Sequence, residues 1–316
     1  MKANLLSLAV FAATLTSAQR DPVGLLIPIY EYPTTESGMR DWGAVIEASG
    51  RHPSLPFHVI VNNANGAPYN DSNPPADTPN WAPTLDRLNA QPNTTLIGYI
   101  FTRNSTRDPA EVKRGIDQYA AWTTSGTSNI TISGVFFDEF DTNPAKLDYN
   151  LDITRYAKTT FSSLSRPGPH VVLNPGVRVA AGSESLYDEA DVIVAIETCH
   201  TRDSNKARDP LEPVIYRCPT DGYIPFDETL LQTNIPADVP EEKAAVILHD
   251  YYESWYEPGP YEPAPLEILE RDVNDIVAYG VHSFYITQYG YTTNFTEAPA
   301  SIDNVAELAA RAQGLA

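Results

Sequence analysis

Cysteine is nearly absent from this chain. Its 316 residues hold two, Cys199 and Cys218. Two thiols with no histidine at ligand spacing make a poor metal site, so no metal is expected. In an oxidising compartment two cysteines most simply pair, and a Cys199–Cys218 disulfide is the expectation. Positive charge is also scarce, with 21 Lys and Arg against 41 Asp and Glu, a formal net charge of −20 and a pI near 4.5. A surface that negative repels phosphate backbones and anionic lipid heads, which excludes nucleic acid and membrane surfaces as expected partners. It suits a cationic polymer, or solubility in an acidic medium. Several signatures are missing as well. There is no glycine-rich phosphate loop, no HExxH and no GxSxG elbow. Nucleotide, zinc-protease and serine-hydrolase chemistry are therefore disfavoured, and no cofactor is expected.

Long apolar runs are lacking too. The one candidate, Leu5 to Leu15, follows a single Lys and exits through Ser17-Ala18. That is the layout of a secretory signal peptide over residues 1–18, and it falls short of the roughly 20 apolar residues of a membrane span. Sequons at Asn70, Asn93, Asn104, Asn129 and Asn294 agree with export and mark expected surface loops. The mature chain is expected to be secreted, with cell-wall association as a variant, and monomeric.

What the sequence does have is eight short apolar runs: Val23–Ile29, Phe57–Val61, Leu96–Phe101, Ile132–Phe137, Val171–Leu173, Val192–Ile196, Ala244–Leu248 and Ser283–Ile286. Continuous apolar runs of this length suit strands buried on both faces, as parallel strands under helices are. Helix-length segments separate most of them, namely Met39–Ala48, Trp81–Leu88, Asp108-Pro109 through Trp122, Leu151–Leu164, Asp227–Thr233 and Pro265–Tyr279, and Ile302–Ala312 closes the chain as a helix. The pattern predicts one α/β domain over residues 19–316, a single (β/α)8 TIM-type barrel. No repeat beyond this alternation and no linker divides it.

In such a barrel the residues at the C-terminal ends of the strands do the chemistry. Here those positions hold Tyr30, Asn62, Thr102, Asp138, Asn174, Glu197, His249 and Gln288. Two are carboxylic acids. Glycoside hydrolysis needs two carboxyl groups, one protonating the leaving oxygen and one acting as nucleophile or base, so a glycosidase is the first expectation. Asp138 and Glu197 close the fourth and sixth runs and can face each other across the mouth. Glu139 follows Asp138 directly, and strand alternation points it the other way unless the chain bends. Capping the next helix is a job for Asp141, Thr142 or Asn143, just ahead of Pro144. Glu197 follows five apolar residues with no cation beside it, which raises a carboxyl pKa and suits a general acid.

Aromatic side chains near the mouth are candidate sugar-stacking surfaces: Tyr30, Tyr99, Tyr285, and Trp255 in the Pro- and Tyr-rich stretch after the seventh run. Asn62, Asn174, His249 and Gln288 complete the candidate substrate-binding set, with His249 able either to bind substrate or to tune a carboxylate.

The segments GLLIPIYEYP, VIVNNANGAP, TTLIGYIFTR, ISGVFFDEF, HVVLNPG and DVIVAIE, in this order, resemble the spherulin-4 family, which overlaps glycoside hydrolase family 135 of filamentous fungi. The resemblance spans Val23 to about Tyr289. It implies a (β/α)8 barrel that cuts galactosaminogalactan, an exported polymer of galactose, N-acetylgalactosamine and galactosamine. The family's acids would fall on Asp138, Glu139 and Glu197, the same three as the strand-end reading, to which we assign the roles of nucleophile, supporting carboxylate and acid/base in turn. The expectation is an endo-α-1,4-N-acetylgalactosaminidase without a cofactor. The alternative is a non-catalytic cell-surface or spore-coat carbohydrate-binding protein.

Overall fold

A strand buried on both faces needs a packed interior on one side and helices on the other, and the eight apolar runs find both. The computed structural model describes residues 20–62, 78–200, 225–254, 262–288 and 300–316. The strands are β1 (Gly24–Ile29), β2 (Phe57–Val61), β3 (Thr94–Phe101), β4 (Gly134–Asp138), β5 (Val171–Leu173), β6 (Val192–Cys199), β7 (Ala244–His249) and β8 (Ser283–Ile286). They close into one barrel in sequence order, β8 returning to β1, and every neighbouring pair is parallel. The helices are α1 (Glu36–Arg51), α2 (Thr78–Asn89), α3 (Pro109–Ala121), α4 (Leu147–Ser162), α5 (Leu186–Glu189), α6 (Thr229–Asn234), α7 (Leu266–Tyr279) and α8 (Ile302–Ala312). The fold is thus a single (β/α)8 barrel. Two short hairpins, Thr124–Ser125 with Ser128–Asn129 and Tyr252–Ser254 with Glu262–Pro263, decorate it. No helix of the described residues is long and apolar enough to cross a membrane. Residues 1–18, the expected signal peptide, lie outside the described residues.

Ladder register fixes which side chains point inward. Pro28 pairs with Ile60, Ile60 with Ile97, Tyr99 with Phe136, Phe136 with Val172 and Val172 with Val192. Paired residues share a face and the face alternates along each strand, so these positions line the interior. Gly98, between two of them, faces outward, where an added Cβ would fall 2.5 Å from the Tyr119 ring. α3 therefore rests directly on β3.

Helix starts follow local chemistry. The Thr35 hydroxyl accepts the Gly38 N–H at 3.0 Å, and the Asp108 carboxylate accepts the Ala110 N–H at 2.9 Å with Pro109 at the first helical position. Asn143 caps a short 3-10 turn, Pro144–Lys146, that leads into α4. That turn is why α4 begins at Leu147, four residues before its apolar period becomes readable. Capping there belongs to Asn143 and leaves Asp138 to the barrel mouth. α5 is one turn long, too short to carry a period, and had no sequence signal.

Candidate active site

The site gathers at the C-terminal mouth of the barrel around Asn174. This residue follows β5 and stands in phase with the inward-facing Val172. Its Nδ2 donates one hydrogen bond to Asp138 Oδ1 and another to Glu197 Oε2, each 2.8 Å long. The two carboxyl oxygens therefore lie within twice 2.8 Å of each other. With the roughly 120° between amide N–H bonds, they stand about 5 Å apart.

Asp138 ends β4 opposite Phe101 and points inward. Its Oδ2 accepts a 2.6 Å hydrogen bond from the Tyr99 hydroxyl. Tyr99 is buried and its ring lies against Phe136, so the structure gives it a donor's position rather than a stacking surface for sugar. Burial and the Asp138 charge hold its phenol far above the usual range, as a proton donor at any working pH. Tyr30 packs edge-on against Tyr99 at 5.5 Å, and burial, with Asp138, Tyr99 and Glu197 around it, keeps its hydroxyl neutral as well.

Glu197 reaches the interior only through a β-bulge. Val194 pairs with Ala245, yet Ile196 pairs with Val246, leaving Ala195 as an extra residue in β6. The insertion reverses the alternation for the rest of the strand. Glu197 then lies opposite inward-facing Ile247; with regular pairing it would face the helices. Burial pushes its carboxyl above the ordinary carboxylate value and the Asp138 charge adds to this, while the Asn174 hydrogen bond and His249 oppose both. No ion pair engages Glu197 among the described residues.

The turn after β5 closes on Glu197. Gly176 adopts φ +66°, and its carbonyl accepts the Glu197 N–H at 2.8 Å. A Cβ at this position would stand 3.2 Å from Glu197 Cβ and 3.3 Å from Oε2. Glycine is required there on both counts.

Glu139 has φ +48°, a left-handed bend immediately after β4 that leaves it exposed at the rim beside Asp138. Burial of its environment and the Asp138 charge raise its carboxyl pKa, with Arg103 acting against them. Thr102 holds the bend, its hydroxyl directed at the Asp138 and Glu139 carbonyls at 2.8 and 2.7 Å. The next three residues, Arg103, Asn104 and Ser105, also have positive φ, and Ser105 Oγ accepts the Asp141 N–H at 3.1 Å. Strained backbone concentrated at one face of a fold is a mark of function there.

On the opposite wall His249 ends β7, buried, with Nδ1 2.7 Å from Asp250 Oδ2. Asn62 follows β2, half-buried and in phase with inward-facing Ile60. Tyr285 is buried inside β8, below the mouth, and Gln288 is buried two residues past that strand. Trp255 lies outside the described residues. So do Cys218, Asn70 and Asn294. Cys199 is fully buried at the end of β6. Asn104 and Asn129 are exposed, but Asn93 differs: its Nδ2 donates to the carbonyls of Ser49, His52 and Leu55 at 2.9 to 3.1 Å. That nitrogen is engaged by three carbonyls at the bottom of the barrel, unlike the exposed side chains of Asn104 and Asn129. Among the described residues no group of three or more His, Cys, Asp or Glu side chains has the arrangement of a metal site.

The acids, Asn174 and Thr102 stand at strand ends that the sequence marks, whereas the Tyr99 hydroxyl as a donor, Gly176 and Asp250 carry no such mark. The NPG turn was the one signal pointing to Gly176.

The family model described as Spherulation-specific family 4 matches residues 24–309. Spherulin-4 of Physarum polycephalum is 23% identical over 168 residues, 53% of this chain and 43% of that protein, so the match spans less than half of the relative's length. Among solved structures, Aspergillus clavatus Sph3 in complex with GalNAc superposes with a TM-score of 0.63 at 22% identity, covering 92% of this chain and 98% of that one. A chitinase from Bacteroides thetaiotaomicron superposes with a TM-score of 0.53 at 14% identity, covering 93% and 97%. These likenesses establish the shared fold.

Proposed function

The chain belongs to spherulation-specific family 4, and from that membership and the paired carboxyl groups at the barrel mouth we propose that it is a secreted endo-glycosidase acting on an N-acetylgalactosamine-containing polysaccharide. The observation that carries this reading is the single amide of Asn174 joining Asp138 to Glu197 at 2.8 Å each. Two carboxyl groups about 5 Å apart match the spacing of a retaining glycosidase, roughly 5–5.5 Å; an inverting one needs about 6.5–9.5 Å to admit water. The GalNAc bound to the Aspergillus clavatus protein supports the choice of sugar.

In this mechanism Glu197, whose hold on its proton burial and the Asp138 charge strengthen, donates to the leaving glycosidic oxygen. Asp138 attacks the anomeric carbon from the opposite face and forms a glycosyl ester. Glu197, now ionised, takes a proton from the water that cleaves this ester, and the anomeric configuration is retained. Tyr99 and Asn174 hold Asp138 through its two oxygens. Glu139 at the rim contacts the polymer. For a linkage α to N-acetylgalactosamine, the acetamido group lies on the leaving group's face and cannot attack from behind, so the protein must supply the nucleophile.

Secretion, a Cys199–Cys218 disulfide and glycans on exposed Asn104 and Asn129 belong to the same proposal. The test is reducing-end release from purified galactosaminogalactan by the wild type, Asp138→Asn and Glu197→Gln, with melting curves for all three. Activity in the wild type alone, with all three folded, establishes the reading. A silent wild type that still binds the polymer would replace it with the carbohydrate-binding alternative.

A further inference from the structure

We propose that Asp250 and His249 form a positioning pair that sets the proton affinity of Glu197, a role that rests on reading Glu197 as the acid/base. Three observations support it. His249 and Glu197 lie on adjacent strands; Ile247 pairs with Glu197 and His249 with Cys199, and all four side chains share the inward face created by the bulge. Second, His249 is buried, and its Nδ1 is held 2.7 Å from Asp250 Oδ2. A carboxylate on one ring nitrogen fixes the ring's orientation and favours a proton on that nitrogen, turning the other nitrogen away from the carboxylate.

The third observation is the backbone of Asp250, at φ +48°. Consecutive residues in a strand point to opposite faces, so Asp250 cannot fold back onto the ring of His249 without a bend. A residue with a Cβ enters the left-handed region only where local contacts hold it there, and here the contact is the one to the His249 ring. The same arrangement stands across the mouth, where inward Asp138 is followed by Glu139 at φ +48°. At the ends of β4 and β7, an inward titratable residue is thus followed by an acid in the left-handed conformation.

The groups around Glu197 act in both directions. Asp138 from β4 disfavours its ionised form, Asn174 after β5 favours it by hydrogen bonding, and His249 from β7 favours it by charge. Tyr30 and Tyr99, from β1 and β3, present neutral phenols. Asp250 holds the His249 ring in place, and His249 acts in the direction that lets Glu197 release its proton for the second step of the reaction. Without the pair, burial and Asp138 act against the Asn174 hydrogen bond alone, and Glu197 holds its proton to higher pH.

The experiment follows the Glu197 carboxyl by 13C NMR in the full-length, glutamate-labelled protein, with Glu197→Gln to assign its signal. His249→Gln and Asp250→Asn should both raise the Glu197 midpoint, by on the order of one pH unit for His249→Gln. The alkaline limb of kcat/KM should move up with it. An unmoved midpoint in both folded variants overturns the proposal, whatever happens to activity. A shifted midpoint with a Glu197→Gln variant that remains active would keep the pair and instead overturn the acid/base assignment.

Discussion

One nitrogen atom, Asn174 Nδ2, lies 2.8 Å from both Asp138 Oδ1 and Glu197 Oε2. The amide sets the spacing of the two acids and favours the ionised form of Glu197. Replacing it with Ala removes two hydrogen bonds to carboxyl groups, each contributing about 1.5–3 kcal/mol. Asn174→Ala should therefore lower kcat/KM by about 100-fold or more, measured at a temperature where melting curves show the variant still folded. It should also raise the Glu197 midpoint, since the bond to Asn174 lowers it. Near-wild-type turnover in this variant would refute the positioning role.

Tyr99→Phe is a narrower probe. It keeps the buried ring against Phe136 and Tyr30 and deletes only the hydroxyl that donates 2.6 Å to Asp138 Oδ2. One hydrogen bond to a charged group predicts a 10- to 100-fold loss. The loss should fall in kcat, with KM nearly unchanged, because the hydroxyl faces the acid and not the sugar. A change confined to KM would mean that Tyr99 contacts substrate instead.

The barrel was legible because its eight runs are apolar on both faces, a pattern that few other arrangements produce. Asp138, Asn174 and Glu197 were legible because each directly follows such a run. Their geometry was not. Glu197 faces inward because Ala195 is bulged, and nothing in VIVAIE distinguishes a bulged strand from a regular one. Tyr99 reads as one more core aromatic until its hydroxyl is seen on Asp138. The left-handed bends at Glu139 and Asp250 occur at acids, where sequence reading looks for Gly or Asn. Asn93 fits the sequon pattern, yet its amide is used inside the fold; a tripeptide pattern carries no information on burial.

Gly176→Ala tests the turn. The position has φ +66°, and the new methyl would stand 3.2 Å from Glu197 Cβ. Left-handed backbone costs a residue with a Cβ about 1–2 kcal/mol, and the crowding displaces the acid as well. The variant should melt several degrees lower and lose activity out of proportion to its stability at assay temperature. If it kept full turnover, the contact with Glu197 would be irrelevant to the chemistry.

Peptide mapping of the protein expressed in a glycosylating host tests the sequons. Glycans are expected on Asn104 and Asn129, both exposed, and none on Asn93, whose Nδ2 is within 3.1 Å of three carbonyls. Asn93→Ala should then destabilise the protein without changing its glycan mass, because the side chain ties α1 to the start of β2. An occupied Asn93 would contradict the packing at the bottom of the barrel.

Acid sensitivity should trace to two neighbouring buried histidines. His58 on β2 and His282 just before β8 have ring centroids 4.7 Å apart. Burial lowers the pKa of both; the charge of His282 adds to this for His58, and for His282 Asp191 and Asp21 resist it, leaving it near 4. The unfolded chain takes up these protons near pH 6.5, while the folded chain keeps both rings neutral to lower pH. Stability from this pair is thus complete above pH 6.5 and declines as pH falls, by up to about 1.4 kcal/mol per pH unit for each group. For His282 the decline ends near pH 4, where the folded ring also protonates. Urea midpoints at pH 7 and pH 4.5 measure it directly. His282→Gln should lose less stability than the wild type over that interval, even if it starts lower. Equal losses in the two proteins would assign the acid sensitivity to the carboxylates instead.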